Sequence, residues 1–412
     1  MNIGSIIKYH RKLRSMTQSE LCNGICSVSH LSKIENNNKE VDGHTLELLL
    51  KKLELSKLDI EESYDSYLKL LEKFLQSMIY YEKNKANRIY TELVELEPLL
   101  TSTDLTYSYH LYIYRYFILI EDLERAQQIK IFLTQFATVF SQHESDLFKY
   151  LNALLYLYQG KYPKSLEILT GYAEDNSLSV KMQGEVLYYL SLTYSYLENS
   201  SMCVVYAEKA FQEYSKACNY IRQIHTQLLL SIHKTDIGLY SDAEQHFEHM
   251  LRNAPLIGEV QLLPTIYHNY GILLSNIEEY DKAKNYYRMA MEGFQSSEKY
   301  YVSLSNYTEI LLILDEKKEA FNNIREIISN TRIEPLKKYN LIFTFHLLKL
   351  EKKERKAIKW LENQVIPYLQ KKNLIKDFTK YVRYLAEYYS DKNKEKSLFY
   401  YGLLIKKEGR FF

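Results

Sequence analysis

Glycine and proline are scarce in this 412-residue chain, with 12 and 6 copies. Turns are therefore few, and helices are the default. Neither sign of charge is in excess, since 53 lysines and arginines face 52 aspartates and glutamates. That balance excludes a global basic field, so any nucleic-acid contact must rest on charge gathered locally. No apolar run approaches the roughly 20 residues that a membrane helix needs. The N terminus carries charged amphipathic residues in place of a secretion signal, and a cytoplasmic location is expected. The four cysteines, Cys22, Cys26, Cys203 and Cys218, form no Cys-x-x-Cys pair. They read as small core residues, and no zinc site is expected. A Gly-rich phosphate loop, His-Glu-x-x-His and Gly-x-Ser-x-Gly are all missing. No catalytic residue, metal ligand or cofactor is nominated, and the chain reads as a non-enzyme.

What is present begins with local charge. Over residues 1–57, lysine and arginine outnumber aspartate and glutamate nine to six. The same stretch holds Thr17 to Glu35, which reads as two short helices joined by a turn. Thr17 can cap the first helix, with Glu20 three residues on completing a capping box. Gly24 suits the left-handed residue that ends it. Ser27 can cap a second helix running to about Asn36. Leu21, Ile25, Leu31 and Ile34 then pack inward, while Val28, Ser29, His30 and Lys33 face out as a reading surface for the major groove. Residues 2–14 form a preceding helix with Lys8, Arg11, Lys12 and Arg14 outward, where Arg11 and Arg14 are candidates for phosphate contact or simply a solvated basic face. Leu46, Leu49, Leu50 and Leu53 close the small core, and residues 54–66 hold a linker or linking helix.

The residues Ile3-Gly4, Arg11, Thr17 to Leu21 and Leu31 to Asn36 resemble the Cro/C1-type helix-turn-helix family. The turn at Ile25-Cys26-Ser27 is shorter than in many members and is similar to that of the RNPP regulators of Gram-positive bacteria. The resemblance implies binding to a double-stranded DNA operator, with Arg11, Gln18, Ser27, Val28, Ser29, His30 and Lys33 as the contacting set.

Beyond residue 65 the chain repeats. Small residues recur at Ala86, Ala126, Ser165, Cys203, Ala243, Ala283, Ala320, Ala357 and Ser397, with gaps of 40, 39, 38, 40, 40, 37, 37 and 40. Each follows an aromatic or similar residue by three, as at Tyr162, Tyr240 and Tyr280, and precedes an apolar partner such as Leu169, Phe247 or Tyr287 by four. This pattern resembles the tetratricopeptide repeat in somewhat longer units. The small residue lets the second helix of a pair approach the first, and each pair leaves an apolar face for its neighbour to cover. The predicted fold is all-α: a helix-turn-helix domain over 1–62, then a right-handed superhelix of about nine tetratricopeptide-like repeats over 66–412.

In such arrays the first helix of each pair lines a concave channel. Counting back from the small residues places Tyr112, Arg115, Tyr150, Tyr189, His268, Asn269 and Asn306 on that wall. Asn269 and Asn306 hold one register in adjacent units, so each carboxamide can clamp one peptide bond of an extended ligand; packing between helices is the competing role. Arg115 is a candidate partner for a ligand carboxylate. The resemblance to the RNPP family implies a quorum-sensing transcription regulator, switched by a short signalling peptide and acting as a homodimer or higher homo-oligomer. The alternatives are a Rap-like switch that binds a phosphorelay response regulator, and a DNA-binding regulator with no peptide ligand.

Overall fold

Nine small side chains set the architecture. Ala86, Ala126, Ser165, Cys203, Ala243, Ala283, Ala320 and Ala357 are fully buried, and Ser397 nearly so. The computed structural model describes residues 3–36, 41–55, 64–101, 104–175, 180–295, 297–331, 334 and 336–408. Every regular element among the described residues is helical. The chain forms two compact units, Met1–Leu239 and Tyr240–Phe412.

The first unit opens with α1 (Ile3–Leu13), α2 (Gln18–Cys22), α3 (Val28–Glu35) and α4 (Gly43–Lys52). The predicted inward residues Leu21, Leu31, Ile34, Leu46, Leu49, Leu50 and Leu53 are buried together with Ile7, and Ile25 packs at their edge. The repeats of this unit follow as α5 (Tyr64–Ile79), α6 (Lys83–Glu95), the short α7 (Glu97–Leu100), α8 (Thr106–Leu119) and α9 (Leu123–Thr134). After them come α10 (Gln142–Tyr158), α11 (Tyr162–Asp175), α12 (Val180–Tyr196), α13 (Ser200–Lys216) and α14 (Tyr220–Asp236). The second unit holds α15 (Tyr240–Asn253), α16 (Leu263–Asn276), α17 (Tyr280–Phe294), α18 (Glu298–Ile313), α19 (Lys317–Asn330), α20 (Lys337–Leu350) and α21 (Glu354–Trp360). It closes with α22 (Ile366–Lys371), α23 (Ile375–Tyr389) and α24 (Lys394–Glu408). Of the expected linker, residues 56–63 lie outside the described residues, and 64–66 already belong to α5.

One device joins the two helices of most pairs. The residue five before each small one takes a left-handed φ of 58° to 80°: Tyr81, Glu121, Gly160, Glu198, Gly238, Glu278, Asp315 and Lys352. The amide of the following residue then donates to the carbonyl five back, at 2.8–3.0 Å, as in Asp122 to Phe117 and Glu279 to Leu274. This is the capping geometry that satisfies the last carbonyls of a helix. Glycine supplies it without strain at Gly160 and Gly238, whereas the six other residues carry a cost of about 1 kcal/mol each. The tight approach of paired helices shows at Gly271, where a Cβ would lie 2.8 Å from the ring of Tyr287.

Candidate functional site

The reading head is built by its caps. Thr17 accepts from the Glu20 amide at 3.1 Å, and the Glu20 carboxylate accepts in return from the Thr17 amide at 2.6 Å. Ser27 accepts from the His30 amide at 3.2 Å and starts α3. Gly24 between them has φ +77°. The start of α3 is thereby fixed before any DNA arrives, which is the preorganisation a groove-reading helix needs. Ser27, Val28, Ser29 and Lys33 are exposed, and His30 is half-buried. Val28 alone leaves 45% of its surface open, which nothing in the head's own packing requires.

Two of the nominated residues have a different setting. Arg11 turns inward instead of outward: its Nε and Nη2 donate to the two Glu35 oxygens at 2.6 and 2.8 Å, and its Nη1 donates to the Met16 carbonyl at 2.8 Å. Gln18 Nε2 donates to the same Glu35 carboxylate at 2.8 Å. A buried carboxylate holds a guanidinium more strongly than solvent does when both oxygens are used. The trio therefore ties α1, α2 and α3 together. Arg14, just past the end of α1, is exposed.

The head is also packed against the first repeats. Tyr9 of α1 is buried among the rings of Tyr107, His110, Phe132 and Phe136, with centroids 5.6–6.5 Å away. Its hydroxyl shares a 2.8 Å hydrogen bond with His110 Nε2. Lys12 donates to the Gln135 carbonyl at 2.8 Å and stands 4.6 Å over the Phe136 ring. Sequence reasoning missed this contact. The available signal was an aromatic residue on the polar flank of an otherwise aliphatic-faced helix.

The nominated repeat residues fall in two settings. In the first unit Arg115, Tyr150 and Tyr189 are buried and Tyr112 is half-buried. The carboxylate that Arg115 Nη2 meets is that of Glu185, on α12. The other Glu185 oxygen lies 3.6 Å from Arg222 Nη2, and the Arg222 guanidinium stands 4.3 Å over the ring of Tyr81. Tyr189 accepts from Arg222 at 3.3 Å. Two guanidiniums thus share one carboxylate inside a tyrosine basket. Arg115 Nη1, Arg222 Nε and the hydroxyls of Tyr150 and Tyr214 find no partner among the described residues. Burial and the nearby Glu185 push the Tyr150 phenol well up.

In the second unit His268, Asn269 and Asn306 are each half-buried. His268 Nδ1 is 2.8 Å from the Ser303 hydroxyl, and Asn269 Nδ2 donates to the Thr265 carbonyl at 2.8 Å. Asn306, Glu309 and Ile313 lie on one face of α18 by their spacing. Glu309 and Ile313 line a cavity of about 610 Å³, within the range of small-ligand sites. Leu312, Ile313 and Leu350 line its apolar part. The sequence did not reveal this cavity, because its lysines look like any solvated face.

Four histidines, two buried and two half-buried, make the fold sensitive to acid. Burial pushes His10, His110 and His268 down to about 4 and His346 down to about 3. A histidine depressed in the folded state is protonated first in the unfolded state, so its contribution is complete above the ordinary value near 6.5 and fades as pH falls towards 4. Each group shifted from 6.5 to 4 is expected to lose about 2 kcal/mol by pH 5. Thermal melts should show a Tm that is flat above pH 7 and several degrees lower at pH 5. A Tm unchanged between pH 7.5 and 5 would contradict the burial of these rings.

The comparisons agree with this layout. Residues 7–60 match the Helix-turn-helix family. The Transcriptional activator NprA of Geobacillus stearothermophilus is 25% identical over 388 residues, which are 91% of this chain and 95% of that protein. Among solved structures, the apo form of the quorum sensor NprR from B. thuringiensis superposes with a TM-score of 0.72 at 20% identity, covering 84% of this chain and 99% of that one. NprR in complex with its cognate peptide NprX gives a TM-score of 0.61 at 21% identity, covering 85% and 99%. With its capped reading head and its array of small-residue helix pairs, the chain shares the fold of the quorum sensor NprR and is similar over most of its length to a transcriptional activator.

Proposed function

We propose that this protein is a transcription regulator that reads a double-stranded DNA operator with α3 and is switched by a short signalling peptide held on its repeats. The observation that carries the reading is the exposed, pre-capped start of α3, with Ser27, Val28, Ser29 and Lys33 open. The curated relative is named a transcriptional activator, and NprR was solved with its cognate peptide. In this reading Asn269 and Asn306 hold the ligand backbone beside the cavity of the second unit. The protein works as a homodimer or higher homo-oligomer in the cytoplasm, because two heads are needed to bind half-sites one helical turn, 34–36 Å, apart. A peptide that favours one spacing of the heads shifts DNA affinity by that preference alone. Among the described residues no helix is long and apolar enough to cross a membrane.

Enrichment of bound sites from random duplex DNA by the full chain tests the first half. One recurrent site should emerge. Lys33→Ala should weaken binding to it about tenfold or more and relax preference at one position, as loss of a base-reading contact does. Its Tm should stay unchanged, because Lys33 is exposed. No enrichment with the native chain would refute DNA reading.

A further inference from the structure

We infer that the cavity of the second unit takes a carboxylate-bearing ligand with an aliphatic side chain beside it; this rests on the peptide-sensing reading above. The floor is aliphatic, made by Leu312, Ile313 and Leu350. The rim is cationic: Lys317, Lys349, Lys352 and Lys380 stand there against a single acid, Glu309. Two of these lysines are already engaged, Lys380 with Glu309 at 2.8 Å and Lys317 with Asp315 at 2.6 Å. Lys349 and Lys352 have no carboxylate within 4 Å among the described residues. Lys349 instead stands 4.8 Å over the ring of Tyr384.

The surplus is felt inside the wall. His346, which also lines the cavity, is depressed mainly by burial and then by Lys380 and Lys349. Lysines whose charge is not neutralised by the protein favour a ligand that brings its own anion. The apolar floor would be wasted on a purely polar one, and an aliphatic side chain that covers it gains about 25 cal/mol per Å² removed from water. Asn306 is one helical turn from Glu309 on the same face, so a clamped backbone places its next residues over the cavity. A peptide with an acid beside Ile or Leu has this chemistry, whether the acid is a side chain or the C terminus.

The test uses the immobilised full chain and four equimolar pools of heptapeptides. One pool carries Asp next to Ile, one Asn next to Ile, and one Asp next to Ser. The fourth repeats the Asp-Ile pool as C-terminal amides. Retention of the Asp-Ile pool should exceed that of the Asp-Ser pool, and that of either the Asn-Ile or the amidated pool, by about fivefold or more, a modest value suited to partly exposed charge pairs. A drop on amidation assigns the carboxylate to the C terminus, and no drop assigns it to the Asp side chain. The double variant Lys349→Glu, Lys352→Glu changes only exposed residues and should reverse the preference while the Tm holds. Equal retention of the Asp-Ile and Asn-Ile pools with no drop on amidation, or a preference that survives the double variant, overturns this inference alone. No retention of any pool by the native chain overturns peptide sensing itself, and this inference with it.

Discussion

Replacing Arg115 by leucine should cost about 3–5 kcal/mol of stability, the usual penalty for removing one partner of a buried ion pair. Arg115 and Glu185 are both almost fully buried, with side chains 3% and 4% exposed. Without Arg115, the Glu185 carboxylate keeps only Arg222, 3.6 Å away and already committed to the faces of Tyr81, Tyr188 and Tyr189. The carboxylate then has no direct hydrogen bond from a guanidinium. Adding Glu185→Gln to Arg115→Leu removes the stranded charge. Arg222 is then left to the tyrosine faces and the Tyr189 hydroxyl, so the double variant should recover a substantial part of the loss. Urea denaturation of the two single variants and the double gives the coupling. Arg115→Lys should not rescue, because a compact ammonium on a different stem does not reproduce the guanidinium's contact with the buried Glu185 carboxylate. A cost below about 1 kcal/mol for Arg115→Leu would mean the basket is wet and the pair effectively exposed.

This pair also marks where sequence reasoning reaches its end. The nine small residues were legible because each is demanded by a local fact, the close approach of two neighbouring helices, and that fact recurs at a fixed spacing. The caps of α2 and α3 were legible because Thr17, Glu20 and Ser27 act within three residues of themselves. Arg11 and Arg115 were legible as charges but not as partners. Their carboxylates, Glu35 and Glu185, lie 24 and 70 residues away, and nothing in the periodicity says which acid folds against which base. An arginine counted onto a channel wall looks free until its acid is seen. The left-handed turns were hidden for another reason. Six of the eight are Tyr, Glu, Asp or Lys, so the usual glycine signal was present only at Gly160 and Gly238. Asn269 and Asn306 are both half-buried, and Asn269 has a bond inside the protein that a ligand would have to exchange.

Tyr9→Ala should release the head from the repeats while leaving the head folded. Tyr9 is 2% exposed, yet it belongs to a ring cluster with Tyr107 and Phe136, separate from the head's own core around Ile7, Leu21 and Leu31. Truncating a buried aromatic residue costs about 3–5 kcal/mol where the site cannot collapse. Here that cost falls on the docking contact, since α1 to α4 retain their shared core and the Arg11–Glu35 tie. Lys12 alone, held to the Gln135 carbonyl and the Phe136 face, is too exposed to keep the head in place. Hydrogen exchange should therefore quicken in residues 3–13 and 106–136 together, and the head should melt in a transition of its own. Tyr9→Phe loses only the hydroxyl shared with His110 and should cost about 1 kcal/mol with the single transition kept. Affinity for one isolated half-site should be unchanged in Tyr9→Ala, because Ser29 and Lys33 lie in a different helix from the latch. Affinity for a paired site should fall, since a head no longer held by the repeats must be ordered at the moment of binding. A single cooperative melt, lowered as a whole with exchange at 106–136 unaltered, would make Tyr9 an ordinary core residue and the head an inseparable part of the first repeats.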